Sequence, residues 1–113
     1  MKDYVSQYGR KYPELCDFFG GYFHQDWMLL YDWKEGEADW TVVVDHFRED
    51  NPKNIVIKTA KELELLLAEN LTDKQFENII SEEFHSSIYA PALGFEAYLQ
   101  WGESILTILK NPL

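Results

Sequence analysis

The sequence predicts an all-α fold, a compact single-domain bundle of about five to six helices over residues 1–113. Apolar residues recur at helical spacing in several segments, and those segments carry helix start or stop signals. A chain of 113 residues that is 46% hydrophobic can also bury one core without disulfides or metals. No repeat, low-complexity tract or linker divides it.

Two helices are predicted in the first half. One begins at Pro13 and ends at the pair Gly20-Gly21, which we expect to form its C-cap. The second begins after a capping Asp39. Its apolar residues lie at i, i+3, i+4 and i+7 and are Trp40, Val43, Val44 and Phe47.

In the second half, Asn51-Pro52 reads as the cap and first position of a helix that runs to Asn70. Its apolar stripe is Val56, Ala60, Leu63 and Leu67. The stretch NIVIKT (54–59) is also compatible with a strand, and Thr59 and Glu62 would then form a capping box that restarts the helix. Another capping box, Thr72 with Gln75, precedes the apolar residues Phe76, Ile79, Ile80 and Phe84.

The connector HSSIYAPALG (85–94) leads into a final helix that ends at Asn111-Pro112. We expect one face of this helix to carry Phe95, Tyr98, Leu99, Gly102, Leu106 and Leu109. Gly102 on that face would allow a neighbouring helix or a large ring to approach closely.

The charge excludes one class of partner. The chain carries ten Lys and Arg against twenty Asp and Glu, a net charge of −10, whereas nucleic-acid binding requires basic surfaces. Residues 14–50 alone hold ten acids and two bases. Such an excess either steers a basic partner or keeps a small protein soluble. The single cysteine and the lack of a signal peptide or an apolar span predict a cytoplasmic protein that does not enter a membrane.

No pattern typical of a catalytic, metal or cofactor site is present. The histidines His24, His46 and His85 lack zinc-ligand spacing, and nearby acids disfavour a reactive thiolate at Cys16. The glycine pair is not followed by a phosphate-binding motif. We therefore expect no cofactor and no metal.

The stretch FFGGYFHQDW (18–27) places five aromatic side chains beside polar ones. The structural interpretation is that it ties a helix end to the next helix, with Asp26 as a cap and His24 bonded to a carbonyl or carboxylate. A direct binding role, or a small hydrolase site at His24 and Asp26, is the alternative. The predicted structural motif comprises Phe19, Gly20, Gly21, Tyr22, Phe23, His24, Gln25, Asp26 and Trp27.

The run GGYFHQDW (20–27), DHF (45–47), EDNP (49–52) and the ending SSIYAPALGFEAYLQWGESIL (86–106) resemble the CdiI-type immunity proteins of bacterial contact-dependent growth inhibition. The family's usual Tyr-Gly in the connector is here Tyr89-Ala90-Pro91, and the glycine comes later, at Gly94. The resemblance implies a small, acidic, helical, cytoplasmic protein without enzymatic activity. It implies one-to-one binding of the toxin domain, very often a nuclease, at the C-terminal region of a CdiA-type effector.

The stretch YDWKEGEADW (31–40) mixes aromatic and acidic residues where the core does not require them. We expect the toxin-binding residues there, at Tyr31, Asp32, Trp33, Glu35, Glu37 and Asp39. The alternative for this stretch is a polar loop with two core tryptophans. The alternative for the whole protein is an acidic DNA mimic or regulatory protein that titrates a basic host protein.

Overall fold

The computed structural model describes residues 7–23, 40–86 and 95–111. These residues form six α-helices, a π-helical segment and no strand, which confirms the predicted all-α fold. The elements are α1 (Gln7–Lys11), α2 (Pro13–Tyr22), α3 (Trp40–Asp50), α4 (Lys53–Leu67), α5 (Asp73–Asn78), the π segment (Ile79–Glu83) and α6 (Tyr98–Leu109). None of these helices is long and apolar enough to cross a membrane.

The central helix of the bundle is α4, which packs against both α2 and α6, while α3 also contacts those two helices. The predicted stripe of α4 faces the core, since Val56, Ala60 and Leu63 are buried and Leu67 is partly buried. The stretch 54–59 is helical, so the strand alternative is wrong. The free energy gained by burying the apolar stripe of α4 outweighs the β-propensity of the isoleucines and valine in this stretch.

The start of α4 differs from the prediction in two details. The helix begins at Lys53 with Pro52 at the N-cap, and the Asn51 side chain instead donates to the Phe47 carbonyl at 2.9 Å, at the end of α3. No capping box forms at Thr59, whose hydroxyl donates to the Ile55 carbonyl at 2.8 Å within the continuous helix.

The predicted C-cap at Gly20-Gly21 is wrong, because α2 continues to Tyr22. The structure gives another reason for the first glycine. A Cβ atom built on Gly20 would lie 2.6 Å from the Phe84 carbonyl oxygen, whereas one on Gly21 would meet nothing within 4 Å. Gly20 therefore permits a close approach between two backbones.

The capping box at Thr72 is confirmed. The Gln75 amide donates to the Thr72 hydroxyl at 3.1 Å, and the Thr72 amide donates to the Gln75 side chain at 2.9 Å. The apolar residues that follow are all buried, but the helix widens at Ile79–Glu83, where the Phe84 amide donates to the Ile79 carbonyl at 2.9 Å. This i to i+5 bond defines a π turn, which helical spacing alone does not predict.

The predicted face of α6 is correct in part. Tyr98, Gly102 and Leu109 are buried, but Leu99 and Leu106 are only partly buried. The most enclosed side chains of the helix are Trp101 and Ile105, which the prediction left out. The expected close approach at Gly102 is confirmed, because a Cβ there would lie 2.8 Å from Cζ of Phe76.

Two glutamates of α4 and its C-terminal turn hold the start of α2. The buried Glu62 accepts a hydrogen bond from the Leu15 amide at 2.9 Å, at the N-terminal end of α2. Glu69 accepts from the Tyr12 hydroxyl and, at 2.9 Å, from Lys11. Burial alone would raise the pKa of Glu69, but these hydrogen bonds outweigh it and lower that pKa.

We expect Gly20→Ala to lower the free energy of unfolding by about 1–3 kcal/mol, because the new methyl would collide with a backbone carbonyl that cannot rotate away. The matched control is Gly21→Ala, which meets open space and should raise the free energy of unfolding by up to about 1 kcal/mol through helix propensity. Urea denaturation followed by circular dichroism measures both. Equal effects of the two substitutions would contradict the close approach.

Glu62 should make stability depend on pH. Burial raises its pKa above the ordinary value of 4.5, so the folded chain holds this proton more tightly than the unfolded chain. The stability from the protonated carboxyl is complete below the unfolded pKa and is lost as pH rises through the folded pKa.

Glu62→Gln stays neutral and keeps an acceptor for the Leu15 amide. From about pH 4 to about pH 7 the free energy of unfolding of the wild type should therefore fall relative to that of the variant. Urea denaturation at several pH values measures this difference. A difference that stays constant, or that grows in favour of the wild type, would contradict the buried placement of the carboxyl.

Candidate functional site

The described part of FFGGYFHQDW lies in the core at the end of α2. Phe18, Phe19 and Phe23 are fully buried. The Phe19 ring stacks on Phe84 with centroids 5.9 Å apart, and the Phe18 ring meets Phe47 edge to face at 4.7 Å. The motif residues Phe19, Gly20 and Phe23 thus contact the end of the π segment or α6. His24, Gln25, Asp26 and Trp27 lie outside the described residues.

Trp101 of α6 contacts three other aromatic rings. Its ring centroid is 5.7 Å from that of Phe19, 5.3 Å from Phe23 and 6.1 Å from Trp40. We call the group Phe18, Phe19, Phe23, Trp40, Phe84 and Trp101 the aromatic cluster. Sequence reasoning missed Trp101, although Tyr98, Trp101, Gly102, Ile105 and Leu109 also follow helical spacing and would have indicated the observed face.

Tyr22 is the residue of the motif whose side chain forms polar contacts with α3 and the residue after it. Its hydroxyl donates to the Asp50 carboxylate at 2.9 Å and accepts from the Asn51 side chain at 3.1 Å. The Tyr22 ring also packs edge to face on Phe47 at 5.2 Å. These contacts hold the end of α2 against the end of α3, where Asp50 lies.

The described residues that flank the stretches 24–39 and 87–94 lie in or beside the aromatic cluster. The Ser86 hydroxyl donates to the Phe23 carbonyl at 3.1 Å, and both residues are buried. The Trp40 ring meets Phe95 edge to face at 5.7 Å. The last residues before these two stretches and the first residues after them therefore lie at one end of the bundle.

The predicted toxin-binding residues fall within the first of those stretches. Tyr31, Asp32, Trp33, Glu35, Glu37 and Asp39 lie outside the described residues, so their assignment stays a prediction. What the structure adds is the position of Trp40, which directly follows Asp39 and whose ring contacts those of Phe95 and Trp101.

The described acids of residues 14–50 concentrate on α3. Asp45, Glu49 and Asp50 are exposed there, and Asp45 and Glu49 are one turn apart on the same side. Among the residues that the structure covers, neither Asp45 nor Glu49 takes part in a salt bridge, whereas Glu14 lies 3.7 Å from Lys58. The exposed side of α3 therefore carries uncompensated negative charge.

The geometry of the described residues favours no catalytic group. Burial and the nearby Asp17 raise the pKa of the Cys16 thiol, which disfavours the nucleophilic thiolate. Within 7–23, 40–86 and 95–111, no group of three or more His, Cys, Asp or Glu side chains could hold a metal ion. His46 is exposed on α3, and its ring meets that of Tyr22 edge to face at 6.0 Å.

Comparisons with known proteins agree with the resemblance. The model of the CdiI immunity protein family matches residues 11–109. Among solved structures, the fold is similar to that in the crystal structure of a CdiA-CT/CdiI complex from Y. kristensenii 33638. That match has a TM-score of 0.77 and 22% sequence identity, and it covers 91% of this chain and 97% of that chain. No curated protein matches. The chain belongs to the CdiI immunity protein family of bacterial contact-dependent growth inhibition.

Proposed function

We propose that this protein binds the toxin domain at the C-terminal region of the CdiA-type effector encoded with it and thereby neutralises that toxin. The complex is one to one, and the protein itself catalyses no reaction. The family match over residues 11–109 is the observation that carries the proposal. The similar fold found in a CdiA-CT/CdiI complex from Y. kristensenii adds support. Protection takes place in the cytoplasm of the cell that makes the protein.

The charge of the molecule supports a nuclease as the target. A nuclease binds a polyanion in a basic cleft, and carboxylates can occupy such a cleft as phosphates do. The chain has a net charge of −10, and its exposed Asp45 and Glu49 on α3 form no salt bridge with any described residue. The same charge disfavours nucleic acid as a partner of this protein.

Residues 31–39 are the proposed anchors at the active site or substrate channel of the toxin. Aromatic side chains bring large contact area, so Tyr31 and Trp33 would supply affinity while Asp32, Glu35, Glu37 and Asp39 supply charge complementarity. The stretch ends at Trp40, whose ring is held between Phe95 and Trp101. A rigid attachment of this kind lowers the ordering entropy that binding costs.

Co-purification with the toxin domain encoded immediately upstream tests the proposal. We expect a one-to-one complex that survives about 0.5 M salt, because buried aromatic contacts are not screened by ions. Size-exclusion chromatography with light scattering gives the stoichiometry at low and high salt. If a correctly folded toxin domain forms no complex, the proposal fails and the acidic mimic of DNA becomes the better explanation of the charge.

Exposed acids of α3 should govern how fast the complex forms. We expect Asp45→Asn combined with Glu49→Gln to lower the association rate constant by about three- to ten-fold at low salt, because steering depends on long-range charge. The dissociation rate constant should change less. Surface plasmon resonance measures both rate constants.

The matched control is Glu82→Gln combined with Glu103→Gln, which removes the same charge from exposed acids of the π segment and α6 that form no salt bridge with a described residue. An association rate constant that falls equally with both pairs would show that only net charge matters, and that α3 does not face the toxin.

A further inference from the structure

A groove between α3, α4 and the end of α6 combines apolar walls with a cationic rim. Its volume is about 500 Å³. The buried side chains of Val56, Ala60 and Leu109 line it, and the exposed Lys53 and Lys61 stand at its edge. It lies apart from the aromatic cluster, since no residue of that cluster lines it.

The charge of this groove is opposite to that of the chain. Four of the ten Lys and Arg residues line it, and Glu64 is the single acid among its described lining residues. Glu64 pairs with Lys110 at 3.2 Å. Among the described residues, no carboxylate lies within salt-bridge distance of Arg48, Lys53 or Lys61. The groove therefore carries a local excess of positive charge on a molecule whose net charge is negative.

The surroundings of Arg48 indicate the charge of the group that the groove would bind. Its side chain is only 9% exposed, and one guanidinium nitrogen, Nη2, donates to the Asn111 carbonyl at 2.5 Å. Its Nε is buried and has no hydrogen-bond partner among the residues that the structure describes. A buried guanidinium without a counter-ion is costly, and a carboxylate in the groove beside Arg48 would supply the missing negative charge.

The surroundings of the groove indicate a protein rather than a small molecule. Ile57 lines the groove and is 58% exposed, and Leu65, two turns further along α4, is 50% exposed. Exposed apolar side chains therefore lie both in the groove and beyond it on α4. Small-molecule sites enclose most of their ligand, whereas exposed apolar patches with a polar rim mark protein interfaces.

We propose that this groove receives a segment of the toxin domain that presents a carboxylate beside an apolar side chain. The carboxylate would bind Arg48 and Lys61, and the apolar side chain would lie on Val56 and Ile57. Arg48 lies three residues after Asp45 on α3, so the groove borders the acidic side of that helix. One partner can therefore contact both surfaces. This inference rests on the proposed function.

The groove would add selectivity that the acidic surface lacks. Many basic proteins are attracted to an acidic surface, but a basic protein that offers a like charge to the groove is repelled there. A partner must carry both a basic region and a nearby carboxylate to satisfy the two surfaces. Such a combined requirement distinguishes one toxin from others of similar net charge.

Two variants of the exposed rim and one control test the inference by calorimetric titration with the toxin domain. Lys61→Glu and Ile57→Ser are expected to raise Kd at least about ten-fold each. Lys74→Glu, on α5, makes the same charge change away from the groove and is expected to change Kd less than about two-fold. All three positions are exposed, so the fold tolerates the substitutions, and circular dichroism verifies this.

The outcomes separate this inference from the proposed function. If wild type binds the toxin domain and both groove variants bind like Lys74→Glu, the groove inference is overturned while the immunity function stands. If wild type binds no toxin domain, the proposed function fails and the groove inference fails with it. If the toxin Kd is unchanged and sodium octanoate binds wild type but not Lys61→Glu, the groove is a site for small amphipathic carboxylates, which also overturns the inference.

Discussion

The close approach of α2 to the end of the π segment is the contact on which the aromatic cluster depends. Gly20 has no side chain, so the backbone of α2 reaches the Phe84 carbonyl. At that separation Phe19 stacks on Phe84 and also reaches Trp101, and Ser86 bonds to Phe23. Side-chain packing at this end of the bundle therefore depends on the distance between the backbone at Gly20 and the Phe84 carbonyl. If the two backbones moved apart, a change of side-chain rotamer could not restore the packing.

The surface divides into regions of opposite charge that share α3. On one side are exposed carboxylates, whose long-range field would attract a basic partner. On the neighbouring side, a cationic groove with apolar walls can hold a specific group once contact is made. In our proposal, the association rate depends on the acidic side of α3 and selectivity depends on the groove that α3 shares with α4 and α6, so each can be changed without the other.

Local rules predicted much of the fold. The capping box at Thr72 and the stripe of α4 follow from short-range spacing, and both are present. The reason for Gly20 could not be predicted, because its neighbour Phe84 is distant in sequence. The face of α6 was ambiguous, since Leu99 and Leu106 fit helical spacing as well as Trp101 and Ile105 do, and tertiary packing decides between them. The groove unites three helices, so no single stretch indicates it, and the proposed anchors at 31–39 remain predictions.

The bond between Ser86 and Phe23, together with the ring contact between Trp40 and Phe95, has an evolutionary consequence. Both stretches of chain that begin and end there, 24–39 and 87–94, are attached to residues that the core already fixes. For a flexible chain between fixed ends, closure costs only about 0.6 kcal/mol more for each doubling of the chain length. Insertions or replacements in either stretch should therefore leave the folded body of the protein unchanged.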